Sequence, residues 1–251
     1  MKRGMFQGVT TVVRFNWHFY VLAFVTILTL SLAAVTIPGL FAVLCIVVAC
    51  GILLSCLLSL VATYLAYDSS ELYQLHWMDP WMPQDGTAAN IHAGFDETTG
   101  LLSTRWPGIR WQVFDFFDSA KHTEVSIRRA RNAHPPSPDT HSIATHSLPI
   151  PEHTFDRILL ILAAHEIRNP GERSGFFLEL GYALKKDGLI IVTEHLRDPA
   201  NLIAYNLGAW HFHTREAWMK TFRDARLDVV TSFHPAPLIT TYILKKHGTS
   251  A

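Results

Sequence analysis

The chain has 251 residues, 21 bases, 21 acids and 49% apolar residues, yet 53 consecutive positions between Arg14 and Asp68 carry no Asp, Glu, Lys or Arg. Such a gap excludes a plain soluble globule; no later stretch approaches the roughly 18 uncharged apolar residues of a spanning helix, which also excludes a many-span transporter or channel. From Asp68 on, 18 bases face 21 acids, a poor match for a phosphate backbone, so nucleic acid is not an expected partner.

The charge gap is too long for one span and is broken by Pro38 and Gly39. It predicts two membrane spans, residues 18–37 and 40–64, each near the 20 residues that cross a hydrocarbon core. Trp17, Phe19, Tyr20, Tyr64 and Tyr67 are expected to form an interfacial aromatic belt. A cleaved signal peptide has an apolar core of about 7 to 15 residues, shorter than this one. A hairpin returns both ends to one face, and Lys2, Arg3 and Arg14 place that face in the cytoplasm. All three cysteines (Cys45, Cys50, Cys56) lie inside this block, so the following region has no disulfide framework, thiolate zinc site or cysteine nucleophile.

Three regions are expected: a membrane anchor over 1–67, an amphipathic juxtamembrane segment over 68–86 and a soluble domain over 87–251. The juxtamembrane segment, with Leu72, Leu75, Trp77, Met78, Trp81 and Met82, lies along the membrane or closes over the domain. In the domain, strands are predicted at 88–92, 110–114, 140–144, 156–163 and 188–194, then a pair at 227–233 and 238–245. Helices are predicted at 96–105, 119–132, 171–185 and 214–225, and the Pro-rich run 132–139 is a loop. Strands alternating with helices specify a mostly parallel α/β sheet of seven strands, Rossmann-like, with its ligand at the carboxyl ends of the strands.

The stretch SLPIPEHTFDRILLILAAHEI, followed by FFLELGYALKKDG, resembles class I S-adenosylmethionine-dependent methyltransferases of the type 11-like, lipid and quinone kind. Leu148, Pro149, Phe155 and Asp156 match the family's turn into the fourth strand. Phe177, Glu179, Leu180, Leu184, Lys185 and Gly188 match its helix leading into the fifth. The resemblance covers roughly residues 87–245 and implies S-adenosylmethionine as cofactor.

On that resemblance the glycine-rich cofactor loop falls at Asn90–Thr98, where only Gly94 keeps the glycine pattern. His92, Ala93, Gly94 and Asp96 are its expected cofactor residues, although Asp96 as a helix cap explains that residue equally well. Asp115, at the tip of the second strand, can accept from both ribose hydroxyls, with Asp118 as second choice. Phe116, His146 and Ala164 complete the implied cofactor set. The family's acidic position near the adenine is Ile143 here.

His165 and Glu166 end the fourth strand and Glu194 and His195 the fifth; His211 and His213 follow. His165, Glu166, His195 and His211 are the candidate catalytic residues, with His165 or His195 as general base because imidazole titrates near neutral pH. Phe95, Trp106, Phe116, Trp210 and Phe212 are expected to wall the crevice, and His122, His134 and His153 to be surface residues. The expected substrate is a hydrophobic, membrane-associated small molecule. Two alternatives remain open at this stage: a cofactor-free membrane scaffold, and a metal-dependent hydrolase built on the histidines.

Overall fold

Two long helices open the chain in the computed structural model, which describes residues 4–248 and, at Leu207, the backbone alone. They are α1 (Gln7–Thr36) and α2 (Leu40–Thr63), packed side by side around a turn at Gly39. Gly39 has φ +93°, a backbone region that side chains with a Cβ rarely adopt. Both helices are long and apolar enough to cross a membrane. Their apolar side chains face outward, with Phe24, Leu32, Val35 and Leu40 among the most exposed. The first helix starts eleven residues before the expected span: Arg14 ends the charge gap but does not break a helix, and the two parts meet at non-helical Asn16 (φ −113°, ψ 18°).

The rest of the chain alternates strands and helices: β1 (Gly86–His92), α3 (Thr99–Arg105), β2 (Ile109–Asp115), α4 (Val125–Ala133), β3 (Thr140–Ser142), β4 (Phe155–Ile161), α5 (Pro170–Ala183), β5 (Leu184–His195), α6 (Pro199–Tyr205), α7 (Arg215–Asp224), β6 (Leu227–Ala236) and β7 (Ile239–Lys246). The seven strands form one sheet in the order β3-β2-β1-β4-β5-β7-β6, parallel except for β7, which runs antiparallel to both neighbours. Strand order reverses between β1 and β4. In such sheets the crevice for a ligand opens there, at the carboxyl ends.

Strand periodicity builds the two layers, because successive side chains point to opposite faces. On β4, Ile158 and Leu160 join Phe176, Phe177, Trp218 and Phe222 of α5 and α7 in one core. Leu159, with Ile191 and Ile243, faces the other side and meets Leu102 of α3 together with Leu75 and Met78. The juxtamembrane segment, two 3-10 turns at Leu72–Gln74 and His76–Trp81, therefore closes over the sheet.

The base of the hairpin is fastened to the domain. Asp68, just past α2, accepts from the Gly8 and Val9 amides at 2.6 and 2.9 Å. A Cβ on Gly8 would stand 2.5 Å from Cβ of Tyr67, so the start of α1 crosses the end of α2 at a point only glycine fits. Ala66 and Leu72 pack on Ala236 and Ile239, and buried Phe15 meets Phe95 edge-on at 5.7 Å.

Candidate functional site at the carboxyl ends of the strands

Two groups of residues meet at the carboxyl edge of the sheet. The first lies at β1 and β2, where the loop after His92 turns through Gly94 at φ +88°, a position at which a Cβ would lie 2.8 Å from the Phe117 ring. Asp115 ends β2 and is 2% exposed. Its Oδ1 accepts from the Gly94 and Phe117 amides at 2.8 and 2.9 Å, and its Oδ2 from Arg131. His92 Nδ1 stands 3.6 Å from the same carboxylate. Burial lowers the His92 pKa against the pull of Asp115, so the ring is neutral at pH 7.

Asn90 Oδ1 and both His92 nitrogens are buried and, among the described residues, have no hydrogen-bond partner. Unmet buried polar atoms are costly, at about 1–3 kcal/mol each. Three of them at the end of β1, beside a carboxylate, suit a polar ligand that supplies donors and acceptors. Over them the site is closed: Arg131 holds Asp115, and Phe95 is covered by Phe15 and His134.

The other expected cofactor residues are distributed as follows. Asp96 accepts from the Thr98 and Thr99 amides at 2.9 and 3.0 Å, the structural role that its helix-cap reading gave it. Ala93 is buried in the loop, and Phe116 packs on His122 and Phe176 in the core. Ala164 is likewise a core residue, while His146 is exposed and acts on Glu172 rather than on the loop. His122, expected at the surface, is buried, its Nδ1 accepting from the Asp118 amide at 2.9 Å.

The second group lies at β4 and β5. His165 Nδ1 is 2.6 Å from Glu194 Oε2 and its Nε2 is 3.3 Å from Glu166 Oε1. Glu194 is fully buried and also accepts from the Ala163 and His165 amides. Burial alone would lower the His165 pKa, but the two carboxylates outweigh it and raise it to about 10, while His165 helps hold Glu166 down to about 2 against its own burial. His165 is thus an imidazolium with both nitrogens engaged. With both nitrogens paired to carboxylates, neither is left to take a proton from a substrate, which departs from the general-base role expected of it.

His195 is the opposite case. Its Nδ1 faces two acceptors, Asn201 Oδ1 at 3.0 Å and the Leu238 carbonyl at 2.8 Å, so Nδ1 bears the proton and Nε2 accepts from the Tyr67 hydroxyl at 2.6 Å. Burial lowers its pKa to about 4. Tyr67, placed in the aromatic belt by sequence, instead joins the hairpin to the crevice. Its substitution by Phe should leave Nε2 buried without a donor and lower stability by about 1–3 kcal/mol, read as a fall in the thermal midpoint of the protein in lipid nanodiscs.

His211 lies against His165 at 5.5 Å and is only partly buried. Burial, then the charges of His165 and Arg168, lower its pKa to about 3. Phe212 stacks on His195 at 4.9 Å. Trp106, expected in the crevice wall, instead packs in the core under the juxtamembrane segment, and Trp210 is exposed. His213 receives a hydrogen bond from buried Arg173 at 2.9 Å.

Arg131, Phe15 and Asn90 are not legible as site residues in the sequence, and Tyr67 reads there only as a belt residue, because each matters through a partner brought to it by the fold. No three His, Cys, Asp or Glu side chains among the described residues are grouped to hold a metal ion. Recesses of about 600 Å³ beside Arg223, Arg226 and His247 and about 300 Å³ beside Arg173 and Asp224 lie elsewhere on the molecule.

Many solved structures share this architecture. One is a SAM-dependent methyltransferase from Methanosarcina mazei, with TM-score 0.50 and 14% identity over 68% of this chain and 97% of that one. A SAM-dependent methyltransferase from Aquifex aeolicus gives 0.50 and 13%, over 70% and 93%. An S-adenosylmethionine-dependent methyltransferase from Clostridium acetobutylicum gives 0.50 and 12%, over 70% and 90%. The fold is that of the class I methyltransferases. No protein-family model and no curated protein matches the chain in sequence, so the likeness is one of fold.

Proposed function

We propose that this protein is a membrane-anchored S-adenosylmethionine-dependent methyltransferase acting on a hydrophobic, membrane-associated small molecule such as a lipid, a quinone precursor or a thiol. The observation that carries the reading is the 2.6 Å hydrogen bond from Tyr67, at the foot of the hairpin, to His195 in the crevice. It sets the catalytic edge of a methyltransferase fold directly against two helices suited to a bilayer. The positive-inside rule, applied to Lys2, Arg3 and Arg14, orients the domain to the cytoplasm.

Asp115 would hold the ribose hydroxyls once Arg131 lets go, and Asn90 and His92 would meet the polar amino-acid part. S-adenosylmethionine, when bound, supplies a methyl group activated on a sulfonium. His165, paired on both nitrogens with Glu194 and Glu166, is a positioning residue that holds His211 against it. His211, neutral and partly exposed, accepts a hydrogen bond from an O–H, N–H or S–H acceptor and orients it for attack, the proton leaving to solvent. Phe212 excludes water from one wall.

The test is incubation of the full chain in vesicles with methyl-labelled S-adenosylmethionine and a total lipid extract. Label is expected in an organic-soluble product, and less of it with His211→Ala. Failure of the unaltered protein to bind the cofactor in calorimetry would overturn the reading in favour of a cofactor-free scaffold.

A further inference from the structure

The domain touches the hairpin beyond its foot. Arg129 of α4 donates to the Phe15 carbonyl and reaches His18, both at 2.8 Å. On the other helix Asn206, just after α6, donates to the Ser55 hydroxyl at 2.8 Å. Ser55 lies eight residues before the end of α2, about 12 Å along its axis. The two helices are matched where Asp68 accepts from the Gly8 amide; His18 is ten residues beyond that point on α1 and Ser55 thirteen beyond it on α2, so Ser55 is about 5 Å farther from the domain than His18. Beyond His18, α1 has 18 residues left, roughly 27 Å, close to the thickness of a hydrocarbon core. A bilayer fitted to α1 therefore reaches past the level at which α6 meets α2.

The segment from α6 through the following 3-10 turn (Asn206–His211) is built for that level. Asp198 caps α6, with Pro199 at its first position. Ala204 and Ala209 are buried, whereas Ile203 is 66% exposed and Trp210 62%. Arg197 lies 5.7 Å over the Trp210 ring, an aromatic with a cation beside it, as suits an interface between headgroups and acyl chains. The same segment runs directly into His211 and Phe212.

We infer that residues 199–210 are a second membrane-contacting element, which lies in the lipid interface beside the hairpin and inserts Ile203 and Trp210. The inference rests on the hairpin reading above and deepens it: the crevice wall that carries His211 and Phe212 is then continuous with a lipid-embedded segment, so an acceptor dissolved in the bilayer reaches the crevice without crossing water. Segments of this kind sit about 5–10 Å into the headgroup and acyl boundary.

The test needs neither cofactor nor acceptor. The unaltered chain is reconstituted in phosphatidylcholine vesicles containing a phosphatidylcholine with a diazirine near the top of its acyl chain. After irradiation and trypsin digestion, lipid adducts are expected on the peptide 198–215 as well as on the hairpin. Adducts confined to residues 19–54 overturn this inference and leave the hairpin reading standing, and adducts on neither overturn both. As an independent measure, a bimane label on Ile203→Cys, in a chain with Cys45, Cys50 and Cys56 changed to Ala, should be quenched at least twofold by lipid-borne nitroxide and little by aqueous iodide. A label on Tyr182→Cys, exposed on α5, should show the reverse. Iodide quenching at 203 equal to that at 182 contradicts the inference.

Discussion

Asp115→Asn should weaken S-adenosylmethionine binding by more than tenfold in calorimetry on the full chain, with the fold retained. The amide keeps one oxygen for the Gly94 and Phe117 amides that now converge on Oδ1, so the turn between β1 and β2 survives. It loses the charged oxygen that a ribose would share, and charge-assisted hydrogen bonds contribute about 1.5–3 kcal/mol, which exceeds a factor of ten at 1.4 kcal/mol per decade. Arg131→Gln should act in the opposite direction and tighten binding several-fold, because the cofactor no longer displaces a guanidinium from Asp115. Equal affinities in the parent and Asp115→Asn would remove Asp115 from the site, and a tightening absent in Arg131→Gln would show that Arg131 does not close it.

Stability should be greatest near pH 6.5 and fall on both sides, for opposite reasons. His165 has its pKa raised from 6.5 to about 10; its contribution is complete below 6.5 and is lost as pH rises through 10. His195, His211 and His213 have theirs lowered to about 4, 3 and 4, so the unfolded chain takes up protons below 6.5 that the folded chain refuses. Their contributions are complete above 6.5 and disappear as pH falls through 4. Glu166, held at about 2, adds a further loss below 4.5. Glu194→Gln should flatten the alkaline limb, since the carboxylate that keeps His165 protonated is gone. It should also cost about 3–5 kcal/mol, the usual consequence of removing one partner of a buried ion pair. That corresponds to a fall of roughly 10 °C in thermal midpoint for a chain of this size. A variant with an unchanged alkaline limb would show that Glu194 does not set the charge of His165.

Period and punctuation carried most of the fold. The alternation on β4 and the apolar run before Asp115 located strands to within a few residues, because a buried strand needs continuous apolar side chains. Boundaries moved where local signals were weak. Gly188 reads as a turn, yet β5 already begins at Leu184 and absorbs the slack in a register shift opposite Phe155 and Arg157. The helix after β2 starts at Val125 rather than Ser119, since Asp118 and His122 hold the intervening loop. At the site, the residue types at the strand tips were legible but their charge states were not. His165 and His195 look alike in sequence, and only the neighbours, two carboxylates for one and a tyrosine hydroxyl with two acceptors for the other, make them opposite. Contacts such as Tyr67 to His195 span 128 positions, beyond any local pattern.

Severing the hairpin at Asp68 would not yield a clean catalytic fragment. The cut removes the hydroxyl donor of His195, uncovers Phe95 and the packing of Ala66 on Ala236 and Ile239, and sets apart Asp68 from the Gly8 and Val9 amides it now joins. The hairpin is therefore a structural part of the folded domain, and conditions that preserve it are the ones in which cofactor binding is to be tested.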